Sequence, residues 1–280
     1  MSEFTTVLDG LIFAEGPRWH DGKLWFSDMH DKKIFTVDMA GNQELVHGAD
    51  DDTSGLGFAP DGTLLYVSMH KRKLMQVKDG KAAEVADLNG LATFHCNDMV
   101  TDAKGRSYVG NFGFDLHGGE EPSPSNLVMV DTDGTVSVAA SGLMFPNGMV
   151  ITPDGKTLIV GETFGACLTA FDIAEDGTLS NRRVWADIAP SVPDGICLDA
   201  EGAIWVASPT TQDVIRVKQG GEVTDRLKVA TNAFACMLGG EDGKTLFVLN
   251  SEESAPAKLA GRRTGTIETA KVEAPRAVPP

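Results

Sequence analysis

The stretch VPDGICLDAEGAIWVAS, residues 192–208, decides the fold. A turn, Pro193-Asp194-Gly195, leads into a short apolar run, Ile196-Cys197-Leu198. A second turn, residues 199–202, leads into another run, Ile204-Trp205-Val206-Ala207. Two short β-type runs joined by a glycine-containing turn predict a hairpin. One carboxylate, Asp194, stands just ahead of its first strand.

Working outward, the same unit recurs along the chain. Its turn glycines are Gly22, Gly62, Gly105, Gly155, Gly202 and Gly243, at spacings of 40, 43, 50, 47 and 41 residues. A period of roughly 40–50 residues with several strands per unit is the signature of a propeller blade. Third strands are predicted at 33–38, 73–78, 126–131, 168–173 and 214–218, with a weaker one at 264–272. No long run keeps apolar residues at a helical period. The expected architecture is an all-β, six-bladed propeller in a single domain covering residues 1–273. A propeller has to close its ring without a raw sheet edge. The run at residues 4–8 has no hairpin of its own and is expected to complete the last blade. Residues 274–280, with three prolines, are expected to form a flexible tail.

Composition narrows the function classes. Lys and Arg number 24 against 40 Asp and Glu, a formal charge of −16. A nucleic-acid face needs clustered basic residues, so no nucleic-acid partner is expected, and an anionic membrane surface is disfavoured for the same reason. No signal peptide is read at the N-terminus, and no apolar run approaches a membrane span. The cysteines, Cys96, Cys167, Cys197 and Cys236, lack metal-type spacing. They read as reduced core thiols, and the expected location is cytoplasmic.

In a propeller the innermost strand of each blade lines the central channel. The register places Glu15, Ser54, Asn97, Asn147, Asp194 and Ala235 at equivalent positions. Equivalent positions in a radial repeat form a ring about one axis, so Glu15, Asn97, Asn147 and Asp194 are expected to converge. Two carboxylates in a channel repel unless one is protonated or a cation lies between them. Oxygen-only ligands suit a hard divalent cation such as calcium or magnesium. Asp-Gly and Asn-Gly are also ordinary turn formers, and on the residues alone the two readings stand side by side.

AEGPRW (residues 14–19), PNGMVITPDG (146–155) and PDGICLDAEGAIWVA (193–207) resemble, in order, motifs of the SMP-30/gluconolactonase/LRE-like family. The resemblance extends over nearly the whole chain. It implies one divalent cation in the channel, calcium first, with zinc, manganese or magnesium as alternatives. It also implies hydrolysis of a small-molecule lactone. Carried over by motif, it makes Glu15, Asn147 and Asp194 the metal ligands, Asp194 the general base, and Asn97 a substrate-binding residue. Regucalcin-like members carry an arginine two residues before that asparagine, where this chain has His95. His95 is therefore a substrate-binding candidate, and the departure implies a less polar or differently shaped substrate.

The loop FGFDLHGGEEPSPS, residues 112–125, is expected to reach the channel mouth, with Glu121 contacting substrate. His30, His70 and His117 are read as rim or surface residues, and Asp50-Asp51-Asp52 as a solvated loop. No GxSxG element supports a serine esterase. Besides a metal-dependent lactonase, two readings remain: a lyase or isomerase on the same metal site, and a non-enzymatic binding propeller. The protein is expected to be a monomer or homodimer.

Overall fold

A computed structural model describes residues 4–278. Among these, six four-stranded antiparallel sheets are arranged as a β-propeller. The innermost strands of blades 1 to 6 are Ala14–His20, Thr53–Phe58, Cys96–Thr101, Pro146–Ile151, Ile196–Leu198 and Asn232–Gly239. Each blade runs outward from there, strand beside strand, except the sixth. Its outer strand is Thr5–Leu11, paired antiparallel to Gly265–Lys271, so the two ends of the chain meet in one sheet.

Blades 1 to 5 each have a fourth strand that the apolar pattern did not announce. Gln43–Gly48 and Val223–Lys228 are examples, and both are largely exposed. A strand at the rim has one sheet neighbour and little to bury, so its composition is free to be polar.

The core lies between blades, where neighbouring sheets face each other. Leu24 and Phe26 of blade 1 pack against Phe247 and Leu249 of blade 6. Val67 and Leu74 of blade 2 meet Met99 and Val109 of blade 3. Ile159 and Leu168 of blade 4 meet Ile204 and Val206 of blade 5.

At two glycines in or beside the innermost strands there is no room for a side chain. A Cβ on Gly148 would lie 2.5 Å from the Asp194 carbonyl oxygen, and one on Gly195 2.7 Å from the Ala235 Cα. These glycines let successive innermost strands close up.

The C-terminal segment departs from the expected flexible tail. The Ala200 N–H donates to the Pro275 carbonyl at 2.8 Å, Arg276 N–H to Gly243 O at 2.9 Å and Ala277 N–H to Leu198 O at 3.1 Å. Ala274 is buried. Proline removes a donor but leaves its carbonyl, and the segment's extended backbone bridges the hairpin turns of blades 5 and 6. Residues 279–280 of the expected tail lie outside the described residues. No helix among the described residues is long and apolar enough to cross a membrane.

Candidate active site in the channel

Five innermost strands carry a register shift against their neighbour at or beside the ring position. A bulge of this kind re-aims a side chain out of the strand's alternation. Here it brings Glu15, Asn97 and Asn147 into one cavity, which Asp194 enters from the turn before its short strand. The cavity holds about 560 Å³ and opens at one end of the channel.

The floor is held together across blades. Asn147 Nδ2 donates to Asp194 Oδ1 at 2.6 Å and to Thr163 Oγ1 at 3.2 Å, while the Thr163 hydroxyl donates to the Pro193 carbonyl at 2.8 Å. The Ser54 hydroxyl donates to Asn97 Oδ1 at 3.2 Å. Glu15 accepts from the Gly16 N–H at 3.0 Å. Asn97 and Asn147 are buried, whereas Glu15 and Asp194 keep partial access to the cavity.

The two carboxylates share a dry, negative corner. Burial raises Glu15 well above the carboxylate range, and the charges of Asp194 and then Asp98 add to this, against the Gly16 N–H and Arg18. Burial likewise pushes Asp194 up to about 8, with Asp98 adding and the Asn147 amide opposing. Arg18 gives little relief at the floor, because Asp98 engages it at 2.9 Å and the Met99 carbonyl accepts from it as well. Oxygen donors alone, with two carboxylates disfavouring each other's charge, fit a hard divalent cation. A cation there would be held by Glu15, Asp194 and Asn147 Oδ1, which accepts no hydrogen bond among the described residues.

Above the floor lies a second tier, two residues earlier in the register. Phe13, Asp52, His95 and Phe145 all line the cavity there. His95 is thus placed with Asn97, its ring edge-on to His70 at 4.3 Å between centroids. Burial lowers its basicity, and the neighbouring His70 lowers it further.

The remaining wall comes from the loops between second and third strands. His30 contacts Asp52 Oδ2 through Nδ1 at 2.8 Å and the Ser254 carbonyl through Nε2 at 3.0 Å. His70 contacts Asp51 Oδ1 through Nδ1 at 2.9 Å.

Three expectations need correction. Asp51 and Asp52 are buried and hydrogen-bonded, so only Asp50 belongs to a solvated loop. One potential ligand atom each of Asp51, Asp52 and His70 lies within 4.8 Å of the others. Asp51, however, already accepts from Ser68 Oγ at 2.7 Å, Lys71 N–H at 2.9 Å and His70. His30 and His70 face the cavity, as does His117 at its mouth. Glu121 is exposed and stands apart from the cavity lining. Glu120 accepts from the Asp115 N–H at 2.8 Å, and Asp115 in turn accepts from Gly118 N–H at 2.7 Å, so the loop curls tightly. That curl presents Asp115, Leu116 and His117 to the mouth and leaves Glu121 in solvent.

A signal for the histidines was present in the sequence. Met29-His30 and Met69-His70 follow the second strands of blades 1 and 2 at the 40-residue spacing of Gly22 and Gly62. A radial repeat makes such a pair neighbours.

Residues 13–252 match the family model described as SMP-30/Gluconolactonase/LRE-like region. Pentonolactonase XacC of Haloferax volcanii is 29% identical over 254 residues, covering 87% of this chain and 84% of the relative. A gluconolactonase structure from Xanthomonas campestris superposes with TM-score 0.79 at 22% identity, covering 97% of this chain and 90% of that one. The calcium-binding protein regucalcin from Agrobacterium tumefaciens gives TM-score 0.79 at 20% identity, covering 99% and 98%.

Proposed function

The chain belongs to the SMP-30/gluconolactonase/LRE-like family, and from that premise we propose that it hydrolyses lactones on its channel floor with a divalent cation held by Glu15, Asn147 and Asp194. The observation that carries this reading is the shared floor: half-buried carboxylates of blades 1 and 5 stand with the buried amides of blades 3 and 4 in one cavity. A scaffold has no use for two repelling carboxylates in its channel.

A bound cation would supply the Lewis acidity that draws charge from the lactone carbonyl. Calcium is the first candidate because the donors are all oxygen, and zinc, manganese and magnesium are the others. In this reading Asp194 takes a proton from the attacking water. The Asn147 amide, 2.6 Å from Asp194 Oδ1, holds that carboxylate in place. Glu15 contributes the second negative charge that retains the cation. Asn97, its carbonyl fixed by the Ser54 hydroxyl, offers Nδ2–H to the substrate. Ring opening expels an alkoxide that recovers the proton from Asp194, giving a hydroxy acid. The four cysteines are free, which fits a reducing compartment, and a cytoplasmic setting belongs to the same proposal.

The test is a lactone panel assayed in chelator and again with each metal restored. Acid release that stops in chelator, returns with one metal and places solvent oxygen in the product supports the reading. Turnover undiminished in chelator would overturn the metal's part. Solvent hydrogen entering the substrate with no hydroxy acid formed would move the reaction to a lyase or isomerase.

A further inference from the structure

The floor is polar, and the walls above it are mixed: His30, Asp52, His70 and His95 stand on blades 1 to 3, beside a set of phenylalanines. Phe112 and Phe145 stack at 4.4 Å between centroids with an interplanar angle of 28°. Phe164 stands at 5.5 Å from Phe145 and is itself 43% exposed, at the lip. On the opposite side Phe13 and Phe234 meet edge to face at 4.8 Å. Phe13, Phe112, Phe145 and Phe234, with Met29 and Met69, belong to an apolar cluster around the cavity, separate from the clusters between blades.

One member is held in an unusual backbone state. Phe145 has φ of +62°, a left-handed conformation that bulky residues seldom adopt. Pro146 follows it and disfavours the right-handed helical alternative. The Thr163 N–H holds the Phe145 carbonyl at 3.1 Å, and the Phe164 N–H holds the Met144 carbonyl at 3.2 Å. A strained residue that survives next to a candidate site is a pointer to use. Here the consequence of the strain is a flat ring set in the wall, two residues before Asn147.

Apart from the four histidines, the polar groups above the floor are few and mostly engaged. Asp52 is taken by His30, and Asp115 by the Gly118 N–H. Lys258, the cation at the mouth, is paired with Glu253 at 2.7 Å. No arginine is found among the described residues that line the cavity. The rings of His95 and His117 make no hydrogen bond among the described residues, which leaves each free to meet one polar group. A sugar lactone presents several hydroxyls, and each one set against a phenylalanine would lose its water without a replacement partner.

We propose that this cavity selects lactones with a flat aromatic or alkyl body and few hydroxyls, the body lying between Phe112–Phe145 and Phe13–Phe234. The inference rests on the lactonase reading and adds the substrate class. Phe145 is then a specificity-determining residue.

The test compares dihydrocoumarin with glucono-1,5-lactone on the metal-restored protein, each rate corrected for hydrolysis in buffer. The expected kcat/KM ratio favours dihydrocoumarin by about a hundredfold, the scale on which apolar pockets discriminate. Phe145→Gly keeps the left-handed backbone while removing the ring, and it should lower that ratio by about tenfold or more. A ratio of one or below in the wild type sinks the inference while leaving lactone hydrolysis standing. If neither lactone is opened, calorimetry with 3-(2-hydroxyphenyl)propanoate and gluconate decides. Tighter binding of the aryl acid by about tenfold or more upholds the pocket reading, and the lactonase reading alone fails. Equal or weaker binding of the aryl acid overturns the inference.

Discussion

Asn147 on blade 4 and Asp194 on blade 5 are joined by one hydrogen bond of 2.6 Å across the channel floor. The amide thereby turns its carbonyl oxygen free and fixes the carboxylate. Replacing Asn147 by Ala removes both effects. Divalent-cation affinity, measured by calorimetry, should fall by about tenfold or more. An unchanged affinity would remove Asn147 from the ligand set.

Asp194 combines two roles in the proposed reaction. With cation in excess, Asp194→Asn should lower kcat by about a thousandfold, within the range for loss of a general base. The same variant should melt higher than wild type in chelator near pH 8, because a buried repelling charge is gone. A full rate with metal bound would refute the assignment.

The floor also dictates a pH dependence. Glu15 and Asp194 both have folded-state pKa values raised above those of the unfolded chain. Between the unfolded values near 4 and the folded value of about 8 for Asp194, the native state binds more protons than the unfolded chain. Stability in chelator should therefore fall as pH rises through that window, by about 5 °C or more in melting temperature. Saturating calcium should flatten the fall. A melting temperature independent of pH from 4 to 8 in chelator would contradict the buried pair.

Asp51 behaves in the opposite sense. Burial alone would raise it, but His70, the Lys71 N–H and the Ser68 hydroxyl overcome this and hold it well below the carboxylate range. Its stabilisation is present above pH 4 and is lost as pH falls through its depressed folded value. Asp51→Ala should destabilise by about 2–4 kcal/mol near neutral pH, since it strands buried donors. The gap between variant and wild type, read by urea denaturation, should narrow in acid. A variant within error of wild type at pH 7 would show that the network contributes nothing.

Gly148 tests the close approach of blades 4 and 5. An added methyl meets backbone at 2.5 Å, and backbone cannot rotate away as a side chain can. Gly148→Ala should cost about 1–3 kcal/mol, a figure typical of overpacking, and should weaken cation binding as well. A variant of full stability and affinity would show that the strands can part without consequence.

Not everything at the site was equally legible beforehand. The ring of Glu15, Asn97, Asn147 and Asp194 followed from register, because a repeat about an axis converts equal positions into a common volume. The Phe13, Asp52, His95 and Phe145 tier was legible by the same rule, read back by two residues, and so was the Met-His pair of blades 1 and 2. Glu121 was not. Its loop curls through bonds from Asp115 and Gly118 that no repeat position encodes. Asp51 looked solvated because charge runs usually are, yet its partners Ser68 and His70 come from the far end of a hairpin.

By itself, the sequence determined the number of blades, their order and the ring of oxygen donors, since turn glycines and alternating apolar runs act locally and repeat. Tertiary structure alone decided which carboxylates lie dry, which histidines face the channel, how the C-terminal segment docks and how apolar the walls are. Those outcomes depend on loops from different blades closing over one another, and on desolvation, which exists only once the ring has shut.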